Sequence, residues 1–380
     1  MRDGLIILSL ILVVIAAAAT KPAKAAPDRN RERAEASYAA MQRAFWLPER
    51  HLYRESVDGD SPYAYHWPFG QALAATIDMA YLSGNAYRAD VDRVLLGLEA
   101  YWDAGNVPPA YDSYVRPPLG QGGDVYYDDN EWTALELMRV YQLTGNPSAL
   151  RRAEQLWQLV LFGWDRDPSH AAPGGIFWTQ APGSYGRGTV SNAPAAQLGL
   201  QLAAVTGLPE YRAWAVRIHG WVNSYLRAPD ELYWDSIAAD GAIDRTQWSY
   251  NQGTMIGASV LLYRQTGESA YLELAQRTAA RALARYEADS FRGQPAAFNT
   301  IFWKNLLLLD QAQPAARYRE AMQRYADTVW DRSRDPSSGL FRFAPDRPAT
   351  LLDQAAMVQI YAVLARAAES EQLYTPLVSR

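Results

Sequence analysis

The sequence predicts an all-α fold, an (α/α)6 barrel of six helical hairpins arranged as an inner and an outer ring. Two patterns carry that expectation. A turn signature ends successive apolar stretches at Gly84, Gly145, Gly207 and Gly267, which are 61, 62 and 60 residues apart. Repetition at such a period marks one supersecondary unit used again and again, and a glycine at that place suits the left-handed cap that ends a helix. The second pattern is an alternation of charge. Residues 193–205 and 251–263 contain no charged side chain, whereas the stretch after each turn is amphipathic.

The elements follow in order. Charge-rich stretches fall near 30–46, 86–103, 147–163, 209–226, 269–287 and 314–333. In the third, Leu150, Ala153, Trp157, Val160 and Leu161 share a face opposite Arg151, Arg152 and Glu154, the pattern of a helix half in water. In the fifth, Leu272, Ala275, Ala279 and Leu283 oppose Glu273, Arg277 and Arg281. Charge-poor stretches near 68–83, 129–144, 191–206, 249–266, 295–311 and 351–369 read as helices buried on nearly every side. A closed ring hides them all, whereas an open solenoid exposes them on a concave face and needs polar caps. Residues 174–178 and 339–343 look strand-like and fit short hairpins in the loops.

Residues 1–25 read as a cleaved leader: Arg2, an uncharged run from Leu5 to Ala19, then small residues around Ala23 and Ala25. The run is shorter than the roughly 20 residues that span a bilayer. Residues 26–380 are then one barrel domain, secreted or in the cell envelope, with no membrane contact beyond the leader.

Composition narrows the chemistry. The 380 residues hold 36 Lys and Arg against 41 Asp and Glu, an acidic balance that argues against nucleic acid as partner. There is no cysteine, which removes thiolate nucleophiles and Cys-ligated metals. The four histidines, His51, His66, His170 and His219, lack metal-ligand spacing, so neither metal nor cofactor is expected. Aromatics are abundant, with 13 Trp, 24 Tyr and 9 Phe. If the inner helices run parallel, their starts open at one end, and polar and aromatic residues gather at those starts. Trp and Tyr faces suit sugar rings, and amides and carboxylates suit hydroxyls.

The stretch at 126–132, Tyr-Tyr-Asp-Asp-Asn-Glu-Trp, carries the most chemistry. Asp128 and Asp129 complement a helix N-terminus whatever else they do. Neighbouring residues on a helix point about 100° apart, so two carboxylates there flank one glycosidic bond about 5–6 Å apart, the spacing of a retaining mechanism. One stays ionised as nucleophile and the other holds a proton.

With these residues stand GGIFW at 174–178, TVSN at 189–192, YNQGTMIGASVLLYRQTG at 250–267, FNTIFWKNLL at 298–307 and LLDQAAM at 351–357. Together they resemble glycoside hydrolase family 76, the endo-α-1,6-mannanases, in order along nearly all of the chain after the leader. The resemblance implies that Asp128 is the nucleophile and Asp129 the general acid/base. It implies that Asp235 binds a mannose hydroxyl, and that Asn130, Asn192, Tyr250 and Asn251 are subsite residues. Trp67, Trp132 and Trp178 are its stacking candidates. The segment 183–188, rich in Gly, Ser and Arg, departs from the family's usual pattern.

The expectation is therefore an exported, monomeric, retaining endo-glycosidase of α-1,6-mannan. A transglycosidase of envelope mannan or lipomannan uses the same site and differs only in whether water or a sugar hydroxyl takes the glycosyl group. A non-catalytic mannan-binding envelope protein is the other alternative, although two adjacent carboxylates give a pure binder nothing.

Overall fold

Helices without charge can be surrounded by other helices, and a computed structural model of the chain shows how. It describes residues 26–286, 290–344 and 346–369; the leader expected at 1–25 lies outside them. Six inner helices, α2 (His66–Ser83), α4 (Tyr127–Thr144), α6 (Ala193–Thr206), α8 (Ser249–Thr266), α10 (Ala296–Ala312) and α12 (Leu351–Glu369), pack each on the next. The last, α12, packs back on α2, which closes the ring and rules out the open solenoid. The outer ring is α1 (Ala26–Phe45), α3 (Arg88–Leu98), α5 (Pro147–Phe162), α7 (Pro209–Tyr225), α9 (Ser269–Arg285) and α11 (Ala316–Arg332). Five hairpins are consecutive in the chain; the sixth joins its two ends, because α1 packs on α12.

Burial follows charge. In α8 every residue from Ser249 to Leu262 is buried. In α9 only Ala275, Thr278, Ala279 and Ala282 are, one stripe at helical spacing. Gly145, Gly207 and Gly267 take φ of 71°, 74° and 74° and cap α4, α6 and α8 in the left-handed conformation. Gly84 has positive φ but not the helical ψ, and the chain continues into a 3-10 turn, Gly84–Tyr87, before α3. The third helix is also shorter than the sequence suggests. It gives way at Leu98 to a 3-10 turn and then to a strand, Trp102–Asp103, because Trp102 pairs with Tyr111 across a hairpin.

Short pieces of sheet decorate the end where the inner helices begin. They are β1 (Trp46–Leu47) with β2 (Leu52–Tyr53), β3 (Trp102–Asp103) with β4 (Ala110–Tyr111), and the three-stranded β5 (Arg187–Gly188), β6 (Ser236–Ile237) and β7 (Ile243–Asp244). The strand-like stretches at 174–178 and 339–343 form isolated bridges, Ile176 with Trp164, Phe177 with Arg187 and Phe341 with Arg334.

The inner ring is not uncharged throughout. Fully buried Asp78 of α2 pairs with Arg139 of α4 and, at 3.1 Å, with Lys304 of α10; Arg139 also meets Glu136 at 2.6 Å and Lys304 meets Gln359 of α12 at 2.9 Å. Buried charges persist only when paired, so this cluster ties four inner helices together across the lumen.

Candidate active site

A repeated device builds the open end. Each of four inner helices begins with an amide side chain that pairs with backbone outside its own helix. Asn130 accepts from Tyr111 N at 2.8 Å and donates to Tyr111 O at 3.0 Å. Asn192 accepts from Ile176 N at 2.8 Å and donates to Gly188 O at 2.7 Å. Gln252 accepts from Tyr233 N at 2.7 Å and donates to Tyr233 O at 2.9 Å. Gln354 accepts from Phe341 N at 3.1 Å and donates to Ser37 O at 2.9 Å. All four are buried. Asn130 and Asn192, expected among the subsite residues, are therefore loop anchors whose amides are already engaged.

His66, the one histidine at an inner-helix start, is also internal. Its ring is buried between Tyr101 and Tyr111 and lies 2.8 Å from the Thr133 hydroxyl, and burial lowers its pKa to about 3.

Asp128 and Asp129 occupy the first turn of α4, whose N-cap residue Tyr126 makes no side-chain cap. Both residues are half-buried, and the protein around them raises both pKa values. For Asp128 burial is the chief cause, with Asp235 adding to it; the Trp178 indole and the amides of the first turn pull the other way. Asp129 is raised further, by burial and by the charge of Asp128, with no donor set against them. Donors act at the Asp128 carboxyl, where they favour the ionised form, and none act at Asp129.

The surroundings come from neighbouring inner helices and the loops that precede them. Trp178 donates from Nε1 to Asp128 Oδ2 at 3.3 Å, leans on Tyr126 and is exposed. Asp235, beside β6, accepts from Asn251 Nδ2 at 3.0 Å; burial raises its pKa. Asn251 is itself buried, so it reaches the site through Asp235. Tyr250 lies near both Asp235 and Asp128, and burial and their charges keep its phenol neutral. Its ring stacks on Phe298 at 3.9 Å, and Trp248 and Trp67 pack on the same Phe298 at 5.4 and 5.8 Å. Trp132 packs against Val190, Tyr250 and Ile301. The glycine after Gln252 has a structural cause: a Cβ on Gly253 would stand 2.5 Å from the Phe302 Cα, so α8 and α10 approach closely only with glycine there.

One residue escaped the sequence reading. Glu131 follows the Asp pair, is wholly buried, and neither carboxyl oxygen has a hydrogen-bond partner. Burial, then the charge of Asp128, raises its pKa well above the usual range. Its spacing from Asp128, three residues along a helix, was the available signal.

The sequence model of Glycosyl hydrolase family 76 matches residues 30–334. The mannan endo-1,6-alpha-mannosidase DCW1 of Candida glabrata is 25% identical over 260 residues, 62% of this chain and 55% of that protein. The chain spans about half the length of the curated relatives it matches. A family 76 glycoside hydrolase (mannosidase) from Bacteroides thetaiotaomicron superposes with a TM-score of 0.81 at 23% identity, covering 90% of this chain and 99% of that one. An α-1,6-mannanase of Salegentibacter sp. HEL1_6 superposes with a TM-score of 0.74 at 23% identity, covering 89% and 99%. That structure is an inactive variant, with two consecutive aspartates changed to asparagine, in complex with α-1,6-mannotriose.

Proposed function

The chain belongs to glycosyl hydrolase family 76, and on that premise we propose that it is a retaining endo-glycosidase cleaving α-1,6-mannosidic linkages in mannan. The observation that carries this reading is the divided environment of two adjacent carboxyls. Asp128 has donors that favour its ionised form, and Asp129 has none. In the first step the Asp128 carboxylate attacks the anomeric carbon while Asp129 gives its proton to the departing glycosidic oxygen. In the second, Asp129 takes a proton from water, which attacks the glycosyl–enzyme and frees Asp128. Each step leaves one negative charge on the pair.

Asp235 and Tyr250 supply polar groups beside Asp128 for sugar hydroxyls, with Asn251 holding Asp235 in place. Trp178 stands over the nucleophile, and Trp67 and Trp132 belong to the aromatic wall built on Phe298 and Tyr250. The mannan specificity is supported by the relatives, whose names give mannan endo-1,6-alpha-mannosidase and α-1,6-mannanase. The leader composition supports export to the envelope or medium.

Linear α-1,6-mannooligosaccharides test the reading. We expect internal cleavage, products that first appear with the α-anomer, and loss of turnover by at least about a thousandfold in Asp128→Asn and in Asp129→Asn. Turnover at parental rate in either variant, with the fold unchanged, overturns the assignment of that residue; products of inverted anomer overturn retention.

A further inference from the structure

Exposed aromatic rings are distributed unevenly over the surface. Among the described residues, the exposed aromatics are Tyr65, Phe162, Trp178, Tyr185 and Tyr225. Tyr65 immediately precedes α2, Trp178 and Tyr185 lie in the loop before α6, and Phe162 and Tyr225 are the last residues of outer helices α5 and α7. All five therefore lie at the end of the barrel where the inner helices begin, the end that carries Asp128 and Asp129. Scattered exposed aromatics are ordinary; aromatics gathered on one rim mark a surface that binds.

Tyr65 is held at its backbone and against a neighbouring ring. The residue is 50% exposed, and its ring lies 5.0 Å from the ring of Tyr114 at 50°. Its backbone N–H donates to Glu55 Oε2 at 2.9 Å, and the next amide, His66 N, donates to Ser113 O at 2.9 Å, which ties both tyrosines to one backbone junction. The Tyr114 hydroxyl meets Ser61 Oγ at 3.2 Å, and Ser61 in turn donates to Tyr63 O at 2.7 Å. An exposed ring fixed in this way has little freedom to lose when a ligand covers it. The apolar face of a hexose fits an aromatic ring, and the phenol edge offers hydroxyl contacts.

Position sets the occupant. His66 touches Thr133 of α4, so the start of α2 adjoins the helix that bears the catalytic pair. Neighbouring helix axes lie about 8–10 Å apart, which puts Tyr65 beside the cleavage point and not over it. We propose that Tyr65 and Tyr114 form a distal subsite that takes a mannosyl unit of the polymer remote from the scissile bond, and so favours long chains over short ones. This rests on the mannanase reading above.

The test compares Tyr65→Ala and Tyr65→Trp with the parent on α-1,6-mannotriose and on oligosaccharides of at least six units. The subsite predicts that Tyr65→Ala loses roughly three- to tenfold in kcat/KM on the long substrates, through KM, with the short one changed less than twofold and Tyr65→Trp restoring the loss. An equal effect on both lengths, or none on either, overturns the subsite while leaving the reaction in place. A parent inactive on every length overturns the reaction instead. The subsite is then judged by retardation in gels containing α-1,6-mannan: weaker retardation of Tyr65→Ala than of the parent supports it, and equal retardation of the two, or none of the parent, removes it.

Discussion

The indole N–H of Trp178 donates to Oδ2 of Asp128 across 3.3 Å, and the other oxygen of that carboxylate is buried without a partner. A donor at this place stabilises the ionised form, and it acts against the burial that raises the pKa of Asp128. Trp178→Phe removes the donor and keeps a ring against Tyr126. A hydrogen bond to a charged group contributes about 1.5–3 kcal/mol, and a neutral one about half that; at 3.3 Å the lower part of the range applies. The acid limb of kcat/KM moves up by roughly 0.5–1 pH unit, while melting temperature barely changes because the side chain is exposed. An acid limb that stays in place shows that the bond does not tune Asp128.

The same raised pKa values bear on stability. A carboxyl whose folded pKa lies above its unfolded value binds more protons when folded, so stability falls as pH rises from about 4 through the folded pKa. Asp128, Asp129 and Asp235 are all raised in this way, with burial as the first cause. The Asp128→Asn/Asp129→Asn double variant lacks two of the three groups. Its melting temperature exceeds that of the parent at pH 8, and the gap closes as pH falls to about 4. Each unit of pKa elevation corresponds to about 1.4 kcal/mol. Parallel pH–melting curves would show that neither carboxyl is raised.

Glu131 gives a separate case, since it touches neither solvent nor a counter-ion. The groups around it are Asp128 and Tyr127 on its own helix and the Ala195 amide in the first turn of α6, a turn that bears no titratable side chain. His66, at the start of α2, is neutral and bonded to Thr133, two residues beyond Glu131. An unpaired buried carboxylate is costly, so the residue is held as the neutral acid. Glu131→Gln keeps shape and neutrality. It matches the parent in melting temperature and turnover at pH 5 and becomes the more stable of the two as pH rises to 9. A glutamine variant less stable than the parent at pH 7 means that the carboxyl is an anion.

Helix number, order and the closed ring were legible because each depends on a pattern along the chain. The charge-poor run at 249–266 is α8 to the residue, since side chains that are uncharged up to Tyr263, and mostly small or apolar, suit a helix buried nearly all round. The third helix misled because Trp102 continues the amphipathic pattern yet pairs with Tyr111, a partner nine residues on that no helical period reveals. At the site, the Asp pair was legible as two adjacent carboxyls at a helix start. Asn130 and Asn192 were not legible as anchors, since an amide at the mouth suits a sugar or a loop equally until its partners are known. The pairing of Asp78 with Lys304 joins positions far apart in the chain and leaves no local trace.

Gln252 tests whether the amide anchors position the chemistry. Its side chain satisfies both backbone groups of Tyr233, and the Trp248 carbonyl as well at 3.0 Å; Asp235 lies two residues beyond Tyr233. Gln252→Ala leaves the buried N–H and C=O of Tyr233 without partners, and each such group costs about 1–3 kcal/mol. The expected loss is roughly 2–4 kcal/mol by urea unfolding. Asp235 loses its fixed distance to Asn251 and Asp128, so kcat falls at a temperature where the variant remains fully folded, by roughly tenfold or more. Gln252→Glu separates the two effects. Below the pKa of the new carboxyl the protonated acid both accepts and donates, and activity returns in part; above it the donor to the Tyr233 carbonyl is gone and activity falls again. A variant that loses stability and keeps the parental kcat makes Gln252 an anchor of the fold alone.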